Sequence, residues 1–177
     1  MSLAVIIRPE VPADIRAIYT LTFAAFGRAD EPAVTDKLRA RGNLFLSLVA
    51  ERDGAVVGHV AFSPARLVTP TRTLAPLALG PVAVVPSLQK TGIGSALIHH
   101  GLRACATLGH PIVFLLGHTT YYPRFGFKPA LPLGVRWSRK PDDESHEHFM
   151  VHEHTPGNLA QLLGGESGVF SFDPAFD

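Results

Sequence analysis

Residues 79–98 read Leu79-Gly80-Pro81-Val82-Ala83-Val84-Val85-Pro86-Ser87-Leu88-Gln89-Lys90-Thr91-Gly92-Ile93-Gly94-Ser95-Ala96-Leu97-Ile98. An apolar strand runs into a loop, and the loop runs into a helix. Gly92 and Gly94 carry no side chain, so another molecule can come close to the backbone there. The amides of Lys90 through Ser95 lie at the helix start. That end carries roughly half a positive charge, which suits a phosphate or a pyrophosphate.

Upstream of this stretch, Ala4 to Arg8 is a short β-branched run and predicts a strand. Pro12 suits the first turn of a helix and Asp14 its positive end. Ile15, Ile18, Tyr19, Thr22 and Phe26 recur at helical spacing. Glu31 to Arg41 predicts a second helix, closed near Gly42-Asn43. Leu44–Glu51 and Ala55–Leu67 predict strands around the turn Arg52-Asp53-Gly54, a hairpin signal. Leu77 to Val85 predicts a strand with a bulge or break near Gly80-Pro81.

Downstream, Ile93, Leu97, Gly101, Ala104, Cys105 and Leu108 share one helical face, and Gly109 stops the helix. Pro111 to Leu116 is a continuous apolar run, as in a strand covered on both faces. Thr119 to Arg124 predicts a short helix or turn, with strand material from Phe127. Pro132 to Ser145 reads as mostly irregular and Glu147 to His154 as a strand. Val169, Phe170, Phe172 and Phe176 predict a tail packed on the body. The order is that of a mixed α/β sandwich.

A chain of 177 residues fits one domain, 1–177, and can bury a core without disulfide or metal. Its 46% apolar content excludes disorder. A net charge of +1, with no basic run, argues against nucleic acid as a partner. The single cysteine, Cys105, permits no intrachain disulfide and fits a reducing compartment. The apolar start, Ala4-Val5-Ile6-Ile7, is too short for a signal peptide, and no run is long enough to span a bilayer. These features predict a soluble cytoplasmic protein with no membrane partner.

Three phosphate-binding patterns compete for the loop. A P-loop needs a Lys-Ser/Thr pair after its last glycine, but Ser95-Ala96 follows Gly94. A dinucleotide fingerprint needs a third Gly or Ala where Leu97 stands, and an acid farther on where Ile112-Val113-Phe114 lies. The pattern Gln/Arg-x-x-Gly-x-Gly/Ala after a strand is matched in full by Gln89-Lys90-Thr91-Gly92-Ile93-Gly94.

That third pattern resembles the pyrophosphate loop of the GNAT superfamily of N-acetyltransferases. Tyr122-Pro123-Arg124-Phe125-Gly126-Phe127 resembles the family's Tyr-x-x-x-Gly-Phe segment and follows after one helix and one strand. Val49 to Gly58 resembles its central hairpin. The resemblance covers roughly residues 4 to 130, taken as the core, with C-terminal strands and tail over 131–177. Within the family the chain resembles a bacterial subgroup of unassigned substrate. The resemblance implies a mixed, mostly antiparallel central sheet flanked by helices, with a splay between the fourth and fifth strands. Here the splay falls between Val82–Val84 and Phe114–Leu116.

It also implies acetyl-CoA as acyl donor and a small-molecule or peptide amine as acceptor. A homodimer is compatible with it, and no metal is expected. Val82, Ala83 and Val84 would bond the pantetheine arm, with the Val84 amide as an oxyanion donor. Gln89, Lys90, Thr91, Gly92, Ile93, Gly94 and Ser95 would cradle the pyrophosphate. Tyr122 is the candidate general acid, because a phenol is protonated at neutral pH and can donate to a thiolate. Its packed-aromatic reading stands beside that one.

His118 stands where many relatives carry an asparagine or an acid. It could accept the amine's proton or be a solvated loop histidine. Glu31 and His59 are weaker candidates for the acceptor side of the site. His146, His148, His152 and His154 would share a strand face with Met150, either binding zinc or simply exposed. Cys105 reads as core. The rival functional reading is a catalytically silent acetyl-CoA sensor. A third is a partner-binding domain without cofactor.

Overall fold

A computed structural model describes residues 4–139 and 144–177, with the side chains of 144 and 145 left out. The chain runs β1 (Ile6–Pro9), α1 (Ile15–Phe26), α2 (Asp30–Ala40), β2 (Leu46–Arg52), β3 (Ala55–Pro64), β4 (Arg66–Val68) and β5 (Thr73–Leu74). It continues through β6 (Leu77–Val84), α3 (Ile93–Thr107), β7 (Ile112–Leu116), β8 (Phe127–Pro129) and β9 (Val135–Trp137). β10 (Phe149–Glu153), α4 (Asn158–Leu163) and β11 (Gly168–Ser171) complete it. The chain forms two compact units. The first holds residues 4–63, 79–101 and 175–177; the second holds 64–78 and the described part of 102–174.

In the first unit the strands neighbour one another in the order β1-β2-β3-β6. β1 pairs antiparallel with β2, and β2 with β3, in registers that include Arg8↔Val49 and Val49↔His59. Asp53 and Gly54 both take positive φ, 54° and 76°. Two such residues are what a twist-matched two-residue hairpin turn requires. Arg8 on β1 holds both oxygens of Asp14, at 2.7 and 3.0 Å, and one of Glu51 at 2.8 Å. Asp14 also accepts the Val11 amide at 2.8 Å. It therefore fixes the turn that leads into α1.

α1 buries Ile18, Leu21 and Thr22. Tyr19 and Phe26, expected on that face, are exposed with Phe23. The buried stripe runs through Ile18, Leu21 and Thr22; Tyr19 lies about 100° around the helix from Ile18, off that stripe, and Phe26 is the last residue of α1. In α3, Ile93, Leu97 and Cys105 are buried as expected, but Leu108 lies past the helix end and is exposed. Gly101 of α3 packs against Phe62 of β3: a Cβ there would stand 2.4 Å from the Phe62 ring.

The second unit contains β7, β10 and β8 in that order. The first two residues of β6 pair in parallel with β7, Leu77↔Val113 and Ala78↔Phe114. β10 runs antiparallel to β7, with Val151 opposite Phe114. A second sheet, β5-β4-β11-β9, joins the tail to the body through Phe170↔Leu67 and Phe170↔Trp137. The core is aromatic. Phe114 lies 5.5 Å from Phe149 and 4.6 Å from Phe170, ring centre to ring centre.

Two stretches of this unit carry structure beyond the expectation. β9 forms inside the stretch 132–145 that reads as mostly irregular, of which 140–143 lie outside the described residues. Residues 144–148 form a 3-10 turn, and β10 begins only at Phe149. His146 and His148 therefore do not share a strand face with His152. Within β10, Phe149, Met150 and Val151 are all buried, so neither face of the strand is free there.

Gly101→Ala tests the close packing of α3. Alanine raises helix propensity by about 1 kcal/mol over glycine. The overlap with a fully buried ring costs about 1–3 kcal/mol and outweighs it. The expected result is a lower urea midpoint with unchanged m-value, read by circular dichroism.

Candidate active site

The glycine loop lies in the first unit. After β6, Pro86–Leu88 makes a single 3-10 turn, with the Leu88 amide donating to Val85 O at 2.9 Å. The Gln89 side chain folds back and donates Nε2 to Val84 O at 3.2 Å. The Thr91 hydroxyl donates to Leu88 O at 2.6 Å. Both side chains are thus spent on shaping the loop, and what the loop presents outward is backbone. Lys90 takes φ 62°, a left-handed conformation uncommon for a side-chain-bearing residue, and Gly92 takes φ 94°. These two turns aim the chain into α3, whose first internal bond runs from Ala96 N to Gly92 O at 2.9 Å.

Among the described residues no protein acceptor takes the amides of Lys90 through Ser95. A Cβ placed on Gly92 would meet no atom of the described residues within 4 Å. Lys90 is exposed and has no ion-pair partner among the described residues. Unmet donors, a helix N-terminus and a free cation converge in one open place, which is the chemistry of an anion site. Before the loop, Ala83 is buried while Val82 and Val84 are half-buried, the alternation of a strand.

The tyrosine segment lies in the second unit. The carbonyl of His118 accepts the amides of Tyr121 and Tyr122, at 3.1 and 3.2 Å. His118 and Tyr122 are thereby brought together through the backbone, while the His118 side chain is exposed. The Tyr122 ring lies edge-on to Tyr121 and Phe127, at 5.1 and 5.8 Å. Burial, with the neighbouring Tyr121, pushes the Tyr122 phenol up to about 12. It stays protonated throughout the neutral range. Among the described residues no protein group hydrogen-bonds its hydroxyl. Arg124 stacks on Tyr121, 4.6 Å from the ring centre.

The two weaker candidates are both engaged within the first unit. Glu31, at the start of α2, takes Arg28 on both carboxylate oxygens, and that hydrogen bonding holds its carboxyl below the usual range. His59 on β3 is fully buried. Its Nε2 stands 2.8 Å from Ser47 Oγ, and Ser47 in turn bonds Glu10. Arg39 closes the chain on Glu10 at 2.9 and 3.1 Å. Burial pushes His59 down to about 4, against the pull of Glu10, so the imidazole is neutral. Among the described residues its buried Nδ1 has no partner. Nothing local in the sequence points to this network, because Arg39, Ser47 and His59 come from α2, β2 and β3 and Glu10 from the loop after β1.

The late histidines serve as struts. His148 Nδ1 lies 3.0 Å from Gly117 O, and His152 Nδ1 3.0 Å from Phe125 O. Among the described residues no three of His, Cys, Asp and Glu gather as metal ligands. Cys105 is buried, and burial pushes its thiol up to about 12, far from nucleophile range.

Comparison with known proteins agrees with this geometry. A family model described as an acetyltransferase (GNAT) domain matches residues 7–130. The uncharacterized N-acetyltransferase YhbS of Escherichia coli K12 is 34% identical over 176 residues, covering 97% of this chain and 98% of that protein. The uncharacterized N-acetyltransferase YjhQ of the same organism is 38% identical over 118 residues. That match takes in 66% of this chain and 64% of YjhQ. The crystal structure of E. coli YhbS in complex with CoA superposes with a TM-score of 0.87 at 31% identity, over 99% of this chain and 93% of that one. A GNAT acetyltransferase from Brucella melitensis in complex with acetyl-CoA gives 0.76 at 34%, over 98% and 99%.

The burial of His59 sets a pH dependence. In the unfolded chain an imidazole takes up its proton near about pH 6.5. In the fold His59 refuses it until about 4. Stability is therefore full above the ordinary histidine value and falls as pH drops toward 4. The loss over this window is on the order of 3 kcal/mol. Urea unfolding at stepped pH should show that slope in the wild type and a flatter one in His59→Gln. Equal slopes in the two proteins would contradict it.

Proposed function

The chain belongs to the GNAT acetyltransferase family, and on that premise we propose that it moves acetyl from acetyl-CoA to a primary amine by direct attack, with Tyr122 as general acid. It is an acetyl-CoA-dependent N-acetyltransferase. The single observation that carries the reading is the open loop before α3, where unmet amides, the bare Gly92 and the unpaired Lys90 fit a pyrophosphate. The reading takes 1–177 as one acetyltransferase domain.

Bound acetyl-CoA supplies an acyl group activated as a thioester. The amides of Lys90 through Ser95 hold its diphosphate, and the main chain of Val82–Val84 takes the pantetheine arm. The β6–β7 ladder registers Leu77 with Val113 and Ala78 with Phe114. A splay beyond Ala78 would leave strand amides for such bonds. In the transfer the amine nitrogen bonds the acetyl carbon and the carbon–sulfur bond breaks. The departing thiolate takes the Tyr122 proton. The phenol suits this step because it is protonated and its hydroxyl is not held by the protein. The amine's proton goes to His118 or to water. Glu31 is ion-paired and His59 is sealed and neutral, so neither is assigned the base.

That same engagement of Glu31 and His59 favours a second reading, a silent acetyl-CoA-binding module. Thiol release from acetyl-CoA with a panel of polyamines, aminoglycosides and lysine peptides separates the two. Release above the amine-free rate supports the enzyme; tight binding without release supports the module.

Two variants test the assignments. Gly92→Val places a side chain where the diphosphate sits and also opposes the positive φ. The expected result is at least a roughly 100-fold loss of acetyl-CoA affinity by calorimetry, and unchanged affinity would remove the loop assignment. Tyr122→Phe should lower kcat roughly 100-fold and leave acetyl-CoA affinity within about twofold of wild type. Wild-type turnover would take Tyr122 out of the mechanism.

A further inference from the structure

We propose that Gly117 is the seat of Tyr122, a positioning residue whose missing side chain lets the phenol ring lie against the chain where it can donate its proton. The catalytic half of this proposal rests on the general-acid reading of Tyr122. Gly117 follows β7 directly, and its φ is not in the left-handed region, so the backbone there would accept alanine. What excludes alanine is the ring. A Cβ on Gly117 would stand 2.2 Å from Tyr122 Cε2 and 2.5 Å from Cδ2. Contacts under 3.0 Å are essentially never seen at a real Cβ, so one partner must move.

Neither partner is free to move. Gly117 N donates to His148 O at 3.0 Å, and Gly117 O lies 3.0 Å from His148 Nδ1, which donates to it. This pair of bonds pins the glycine from both sides. The ring is hemmed by Tyr121, Phe127 and Phe125, the last two buried in the core. Its main chain is tied to His118 O. An added methyl therefore has to expel the phenol. The remaining close neighbour, Leu115 Cδ1 at 3.1 Å, is the tip of a flexible chain and gives by a few tenths of an ångström.

The test is a double-mutant cycle. Urea midpoints are compared for wild type, Gly117→Ala, Tyr122→Ala and the double variant. Gly117→Ala should lower the midpoint of the wild type. It should move that of Tyr122→Ala by less than half as much, because the colliding ring is gone. Turnover of Gly117→Ala on the fastest acceptor of the amine panel should fall roughly 100-fold, with acetyl-CoA affinity within about twofold of wild type. A merely structural role would not produce that split between kcat and donor affinity.

Equal midpoint losses in both backgrounds would overturn the seat. Full turnover in Gly117→Ala would overturn its part in positioning. Where Gly117→Ala does not fold, a double variant that folds supports the seat, and one that also fails to fold overturns it. Wild-type turnover in Tyr122→Phe would remove the catalytic half alone, since the midpoint cycle needs no substrate.

Discussion

The site depends on a group of backbone amides that the protein leaves unanswered. Every α-helix begins with donors that have no partner inside the helix. Near two of the other helices a carboxylate takes an amide. Asp14 accepts the Val11 amide before α1, and Glu153 accepts the Leu159 amide at 2.7 Å in α4. At α3 none of the described residues offers a carboxylate. The side chains closest at hand, Gln89 and Thr91, are turned to carbonyls instead. Exposed to water, unmet amides cost little; a carboxylate placed there would have filled the site and cancelled its field.

Charge elsewhere in the first unit is mostly settled in pairs. Arg8 answers Asp14 and Glu51; Arg39 answers Glu10 and Asp36; Arg28 answers Glu31. Lys90 is left outside these pairs. An exposed lysine adds little to stability, but beside six unmet amides it adds a full positive charge to their partial ones. In the second unit the hydroxyl of Tyr122 is likewise unengaged while its ring is packed.

The sequence was most legible where function depends on backbone. Gln89-Lys90-Thr91-Gly92-Ile93-Gly94 marks an open turn into a helix in residue types alone, because positive φ and close approach select glycine. The hairpin at Asp53-Gly54 and the helix from Ile93 were legible for the same reason, since local rules decide them. What stayed hidden needs tertiary context. β9 is only Val135-Arg136-Trp137, and its partner β11 lies at Gly168–Ser171, so no local pattern marks it. The alternating histidines read as a strand, but the 3-10 turn over 144–148 ends before the strand begins. His59 reads as a polar residue on a strand, and only the fold shows its burial beside Ser47 and Glu10.

Glycine shows most clearly where such reading stops. Gly92, Gly101 and Gly117 all lack a side chain for reasons of space, yet the spaces differ in kind. The space at Gly101 is filled by Phe62 and that at Gly117 by Tyr122, each within 2.5 Å of where a Cβ would stand. The space at Gly92 is filled by none of the described residues. A glycine whose absent side chain is replaced by a neighbour's ring serves packing or the placement of that ring. One whose space stays empty, at the mouth of a helix with unmet amides, serves a molecule that is not part of the chain. Sequence alone gives all three the same letter. The difference lies in the occupant, and on the proposed function it separates the residue that would bind the donor from the residue that would seat the acid.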